Sequence, residues 1–269
     1  MENQINIAAL QIGSLSFDKA KLDYYLTIAK SKKCSVFVIG EYVVNLFFKE
    51  LEKISFELIR EQSEFQKKSL KELAKSYNIT IIAPIILVEK KRLIKAIVKF
   101  SPNFIQIYEQ QALINYPHWN EEKFFDNEIK PFITPMIFNI KKIKCAVMFG
   151  FEMHYDNLWL ELQKKRVDVV IIPTASTFDS KERWRELLKS RSFLNNLYIL
   201  RVNKVGNFLD KKTQWNFYGD SLLTSPCGNL IQTLGSKEEM MIATIDKDTV
   251  VKSRKEWGFY NAIQKRNLI

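Results

Sequence analysis

Apolar positions along the chain gather in short dense runs, with helix-like spacing between them. Residues 5–11, 35–39, 79–88, 93–100, 105–108, 197–202 and 240–245 are runs of strand length rich in Ile, Val, Leu and Phe. Several are apolar on both faces, as central strands are. Leu22, Tyr25, Leu26 and Ala29 recur on one helical face behind Asp18 as a cap, and Leu70, Leu73, Ala74 and Tyr77 do so ahead of Asn78. Residues 89–92 form a turn that pairs run 79–88 with run 93–100. Strand–helix–strand repeats followed by hairpin-like strands predict a mixed sheet covered by helices.

The densest pattern covers residues 142–156 and then 167–175. It reads as a buried strand, a sharp turn at Gly150, a helix of about ten residues and a second buried strand ending at Pro173. Catalytic groups usually sit where such strands end, so any chemistry is expected near Gly150. Beyond Pro173, Asp179 and Glu182 read as a capping box for a helix carrying Trp184, Leu187, Leu188 and Arg191. Glu41 stands just past run 35–39. It reads either as an exposed carboxylate at a strand end or as a general base whose partial burial raises its pKa toward a useful range.

Composition narrows the class. With 46% apolar and 13% aromatic residues and only 8 Gly and 7 Pro among 269, the chain can build a core, which excludes a disordered or fibrous protein. No linker divides it, so one domain over residues 1–269 is expected. The net charge of +11 comes from scattered Lys and Arg clusters of the kind found on solvated faces, so specific nucleic-acid binding is not expected. No run reaches the about 18 apolar residues of a membrane span, and the first ten residues lack a signal-peptide pattern. Cys34, Cys145 and Cys227 show neither paired nor metal-binding spacing, as expected of reduced thiols in a cytoplasmic protein.

Glu41, Tyr108, the turn at Gly150, Pro173-Thr174-Ala175, Trp184, Arg191, Asn203 and Gly206, Gly219-Asp220-Ser221 and Pro226-Cys227-Gly228 follow one another in an order that resembles the carbon-nitrogen hydrolases, the nitrilase superfamily. The resemblance spans essentially the whole chain. It implies an α/β fold, a four-layer α-β-β-α sandwich, and a homo-oligomer, usually a dimer paired through helices. It also implies hydrolysis of nitriles, amides or carbamoyl groups by a Glu, a Lys and a Cys. Glu41 falls on the family's Glu. The Lys position, two residues after an aromatic, is occupied by Gln110. The nucleophile position, two residues before an acidic one, is occupied by Gly150. Glu121 matches a further acidic residue, and Arg191 the family's structural Arg.

Cys145 lies five positions before Gly150. That odd offset points it to the opposite strand face, about 16 Å along the chain at the usual rise, so it is not expected to replace the missing thiol. The expected cleft is lined by Glu41, Gln110, Tyr116, His118, Trp119, Glu121, Glu152 and His154. Without a Lys it would be acidic and suit a small amine- or amide-bearing molecule. A metal held by Glu41, Glu152 and His154 is not expected, because nothing in the sequence shows that they converge, and no cofactor is expected. The reading is a family homologue that has lost Cys-dependent hydrolysis and keeps a ligand- or partner-binding role. The alternative is an amide hydrolase using Glu41-activated water or an unrecognised nucleophile.

Overall fold

A computed structural model describes residues 2–15, 19–210 and 213–266. The proposed cap Asp18 lies outside the described residues. The elements run β1 (Gln4–Gln11), α1 (Lys19–Ser31), β2 (Cys34–Ile39), α2 (Phe48–Leu51), α3 (Phe56–Tyr77), β3 (Thr80–Glu89), β4 (Arg92–Phe100) and β5 (Ile105–Glu109). The chain continues with β6 (Met136–Ile140), β7 (Ile143–Val147), a 3-10 turn (Phe151–His154), α4 (Asp156–Lys164), β8 (Val169–Pro173), α5 (Lys181–Asn195) and β9 (Tyr198–Val202). It ends with β10 (Val205–Asp210), β11 (Thr213–Tyr218), β12 (Leu222–Thr224), β13 (Leu230–Thr233), β14 (Glu239–Asp246), α6 (Lys247–Trp257) and α7 (Phe259–Gln264).

Two six-stranded sheets form, ordered β14-β1-β2-β3-β4-β5 and β13-β12-β9-β8-β7-β6. In each, three consecutive strands are parallel, β1-β2-β3 and β7-β8-β9, and the flanking strands are antiparallel. Side-chain alternation explains the apolar runs. Ile7, Ala9, Val36, Val38 and Ile82 point inward to a core shared with Val147 and Ile199 of the second sheet. Their neighbours Ala8, Leu10, Phe37, Ile39 and Ile81 point outward onto Leu22, Leu26, Leu70 and Ala74 of α1 and α3. Leu158, Trp159 and Leu162 of α4 and Leu188 of α5 cover the other outer face. Strands with both faces covered have no polar face, and the layers are the expected helix, sheet, sheet, helix.

Helix α3 starts on Ser55, whose side chain accepts from the Leu58 N–H, and ends at Asn78 in the left-handed conformation, φ 51°. The expected capping box on Asp179 is corrected: α5 starts one residue later, on Ser180. The Ser180 hydroxyl turns back to donate to the Thr177 carbonyl, and Glu182 pairs with Arg185 instead. Asp168, fully buried, accepts from Lys247, Arg254 and the Lys144 N–H and pins α6 to the second sheet. Arg191 of α5 joins Asp156 of α4 at 2.6 Å and lies over the Trp159 ring. Among the described residues no helix is long and apolar enough to cross a membrane.

Candidate active site

The parallel strands β2, β7, β8 and β9 all deliver their carboxyl ends to one place. Glu41 follows β2, Gly150 follows β7, Thr174 follows β8 and Asn203 follows β9. The Glu41 N–H donates to the Thr174 carbonyl at 3.2 Å, joining the ends of the two sheets. Around this junction lies a cleft of about 310 Å³. Glu41, Lys95, Gln110 and Gly150 form part of its wall, and Trp119, Phe151, Phe178, Trp184 and Leu187 supply much of its apolar surface. Carboxyl ends of parallel strands are where open α/β sheets bind ligands, because the chain leaves the sheet there and its side chains can converge.

The expectation of a cleft without lysine is corrected. Lys95 of β4 is buried, with its Nζ 2.7 Å from Glu121 and 3.4 Å from Glu41. It also lies over the rings of Tyr42 and Phe149. Burial pulls its pKa down, but Glu121 and Glu41 outweigh that and hold it above the ordinary value, so the ammonium stays charged. Arg183 also lines the cleft. The cleft is therefore not an acidic hole suited to a cation. Residue spacing missed Lys95 because it sits fifteen positions from Gln110 on a neighbouring strand, where the Gln110 N–H donates to the Lys95 carbonyl at 2.9 Å. The signal present in the sequence was an unpaired Lys inside an apolar run, a position that needs a buried counter-charge.

Glu121 lies behind the lining rather than in it. Its carboxylate accepts from the Tyr42 hydroxyl at 2.6 Å, the Lys95 ammonium, the Trp119 indole and the Ile114 N–H. Tyr42 holds φ 53°, a left-handed conformation costly for an aromatic residue, directly after Glu41. Glu41 has its pKa pushed up to about 7, first by burial and then by Glu121, against Lys95 and a hydrogen bond from the Gly150 backbone. It can therefore hold or release a proton near neutrality.

Glu152 is likewise moved out of the expected lining. Fully buried, it accepts from the Tyr108 hydroxyl at 2.8 Å, the Gln111 N–H at 2.6 Å and the Phe149 N–H at 2.9 Å. Burial pushes its pKa up to about 7 against these three bonds. Its role is to lock the turn after β7 to the segment after β5, and Gly150 and Gln110 from these two segments both line the cleft. His154 lines the cleft with its ring edge on Trp184, and its Nδ1 contacts the Phe151 carbonyl at 2.8 Å. No metal-binding cluster of His, Cys, Asp or Glu occurs among the described residues.

Gly150 has φ −56° and ψ −44°, a conformation any residue adopts, so space rather than backbone freedom calls for glycine here. A Cβ at this position would lie 2.6 Å from Thr174 Cγ2 and 3.3 Å from Trp184 Cη2. The Thr174 rotamer is fixed from behind. Its hydroxyl donates to Asn203 Oδ1 at 2.9 Å and accepts from Arg201 Nε at 3.1 Å, which turns the methyl toward Gly150. Cys145 is fully buried in the core on β7, does not line the cleft, and has its pKa raised by burial and by Asp168. A desolvated thiol of that kind is inert.

The sequence model of the carbon-nitrogen hydrolase family matches residues 6–255. The chain is 23% identical over 177 residues to N-carbamoylputrescine amidase of Solanum lycopersicum, a match covering 61% of this chain and 58% of that protein. A crystal structure of a carbon-nitrogen hydrolase from Helicobacter pylori G27 superposes with TM-score 0.83 and 21% identity over 96% of this chain and 94% of the other. An amidase from Nesterenkonia sp. superposes with TM-score 0.76 and 15% identity, covering 100% and 98%. At these identities the structural matches establish the fold.

Proposed function

We propose that this chain, which belongs to the carbon-nitrogen hydrolase family, binds a small amide-bearing ligand in the cleft without forming a covalent acyl intermediate. The observation that carries this is the Gly150–Thr174 contact. The resemblance places the nucleophile at residue 150, and there the structure has no side chain and a methyl group 2.6 Å from where a Cβ would begin. No cysteine lines the cleft among the described residues. Thioester chemistry needs a thiolate beside its base, and Glu41 has none beside it. An amide-bearing ligand agrees with the amidases among the relatives. Helices α5 and α6 expose Leu194, Val251 and Trp257, which supports pairing of two copies through helices.

The test is incubation of the purified protein with a panel of primary amides, nitriles and N-carbamoyl amines. Thermal shift, product release and intact mass are read together. Stabilisation without product and without an acyl adduct is expected. An adduct on any cysteine overturns the proposal.

A second reading rests on Glu41. With its pKa near 7 and Lys95 at 3.4 Å, it can take a proton from water attacking an amide carbon while the ammonium stabilises the oxyanion. Turnover without an adduct that disappears in Glu41→Gln would establish this reading and displace the first.

A further inference from the structure

Lys204, which follows Asn203 past the end of β9, is 3% exposed and does not line the cleft. Buried lysines ordinarily sit against a carboxylate, as Lys95 does on Glu121 and Glu41. Lys204 has no acidic partner at ion-pair distance among the described residues. Its Nζ instead donates to the Ser14 hydroxyl and the Tyr42 carbonyl, each at 2.6 Å, and lies 5.0 Å from the centre of the Phe217 ring. Burial pulls its pKa down to about 8, opposed only by Glu50. Ser14 is placed the other way round. It stands past the end of β1 and is exposed, with its hydroxyl resting on the buried amine. The backbone on both sides of the contact is pinned: the Gly13 N–H donates to Glu238 at 3.0 Å, the Leu15 N–H to the Val43 carbonyl at 2.8 Å and the Val205 N–H to the Ile12 carbonyl at 3.2 Å. Glu238 is itself engaged by Lys21 at 2.8 Å.

We infer that Ser14 and Lys204 form a reactive centre separate from the cleft, in which the buried amine is the base and the exposed hydroxyl takes the acyl group of an activated ester. The ammonium donates to both oxygens. Once it has lost a proton to solvent, Nζ accepts the Ser14 O–H through its lone pair while an N–H still serves the Tyr42 carbonyl, so the contact geometry is kept. Desolvation favours that neutral amine, which is what a lysine needs to act as a base. In the step, a bond forms between Ser14 Oγ and the ester carbonyl carbon, and the bond from that carbon to the alkoxy oxygen breaks. The serine proton passes to Nζ and from there to the departing alkoxide, which gives an alcohol, acylated Ser14 and the restored amine. An open surface position gives no help with a poor leaving group, so the class taken is esters with a good one rather than amides.

The test incubates the unmodified protein with p-nitrophenyl acetate and, as a trap that leaves a stable adduct, with a fluorophosphonate, whose P–F bond is exchanged for a bond to the serine oxygen with release of fluoride. Intact mass and peptide mapping locate the adducts across a pH series. With both reagents an adduct on Ser14 is expected that is absent in Ser14→Ala. Its rate of formation should rise about ten-fold from pH 7 to pH 9 and level off above, as Lys204 loses its proton. In Lys204→Met the rate should fall at least about ten-fold. A lysine that only supports the fold would leave a rate that climbs in proportion to hydroxide without a plateau, so the pH profile decides the matter even where Lys204→Met does not fold. No adduct on Ser14, a rate without a plateau, or undiminished labelling in Lys204→Met overturns the inference. Both residues lie outside the cleft, so none of these outcomes bears on the ligand proposed there.

Discussion

The two walls of the cleft are built alike and equipped differently. The wall from the first sheet carries charge: Glu41 after β2 and Lys95 on β4, with Glu121 behind them. The strand ends of the second sheet are uncharged there, with Gly150 after β7 and the Thr174 methyl after β8 closed against each other. Both are held by buried networks, Tyr42 and Trp119 on Glu121 in one, Arg201 and Asn203 on Thr174 in the other. The difference teaches that electrostatic and nucleophilic equipment separate physically. Charges buried together must stay together or be replaced together, whereas an uncharged contact such as Gly150 on Thr174 is set by the space of one side chain.

The largest expected effect breaks the charged wall. Lys95→Met leaves two carboxylates buried without their cation and should cost about 3–5 kcal/mol of unfolding free energy at pH 7.5, measured in urea. A loss under about 1 kcal/mol would show that Glu41 and Glu121 are solvated after all.

Buried carboxylates on both sides of the cleft make stability depend on pH. Glu41 and Glu152 titrate near 7 in the fold against an ordinary value of 4.5, so the folded state binds more protons than the unfolded one between those limits. Their contribution is fully present below about pH 4.5, falls as pH rises toward 7 and is flat above it, a change of about 3 kcal/mol for each group. Urea melts at pH 5 and 7 should show this slope, and Glu41→Gln should flatten part of it.

The uncharged strand ends respond more gently. Gly150→Ala should cost about 1–3 kcal/mol from overlap with the Thr174 methyl. Thr174→Ser keeps the hydroxyl bonds to Asn203 and Arg201 and removes the methyl, so the double variant should recover most of the loss. Additive losses in that cycle would mean the two residues are not coupled.

The smallest effect falls outside both walls. Cys145→Ala should cost about 1 kcal/mol through its small cavity and leave ligand affinity in the cleft unchanged. A changed affinity would mean that the core at β7 communicates with the cleft.

Sequence by itself determined a mixed sheet covered by helices, because short runs apolar on both faces and helical apolar faces can each be buried in few ways, while the four layers came with the family resemblance. The family resemblance, not local spacing, put Glu41, Gln110 and Gly150 in one cleft, and all three line it. Sequence underread edge and solvent-facing strands such as β6, β10, β11 and β13, whose mixed polarity carries a weak signal and which pairing with a neighbour completes. Only the tertiary structure decided what surrounds the site. Lys95 reaches Glu41 across 54 residues of chain, Glu121 and Glu152 turn away from the cleft, and Thr174 closes on Gly150. These are facts of strand register and side-chain direction, set by packing between segments distant in sequence, so no local pattern encodes them.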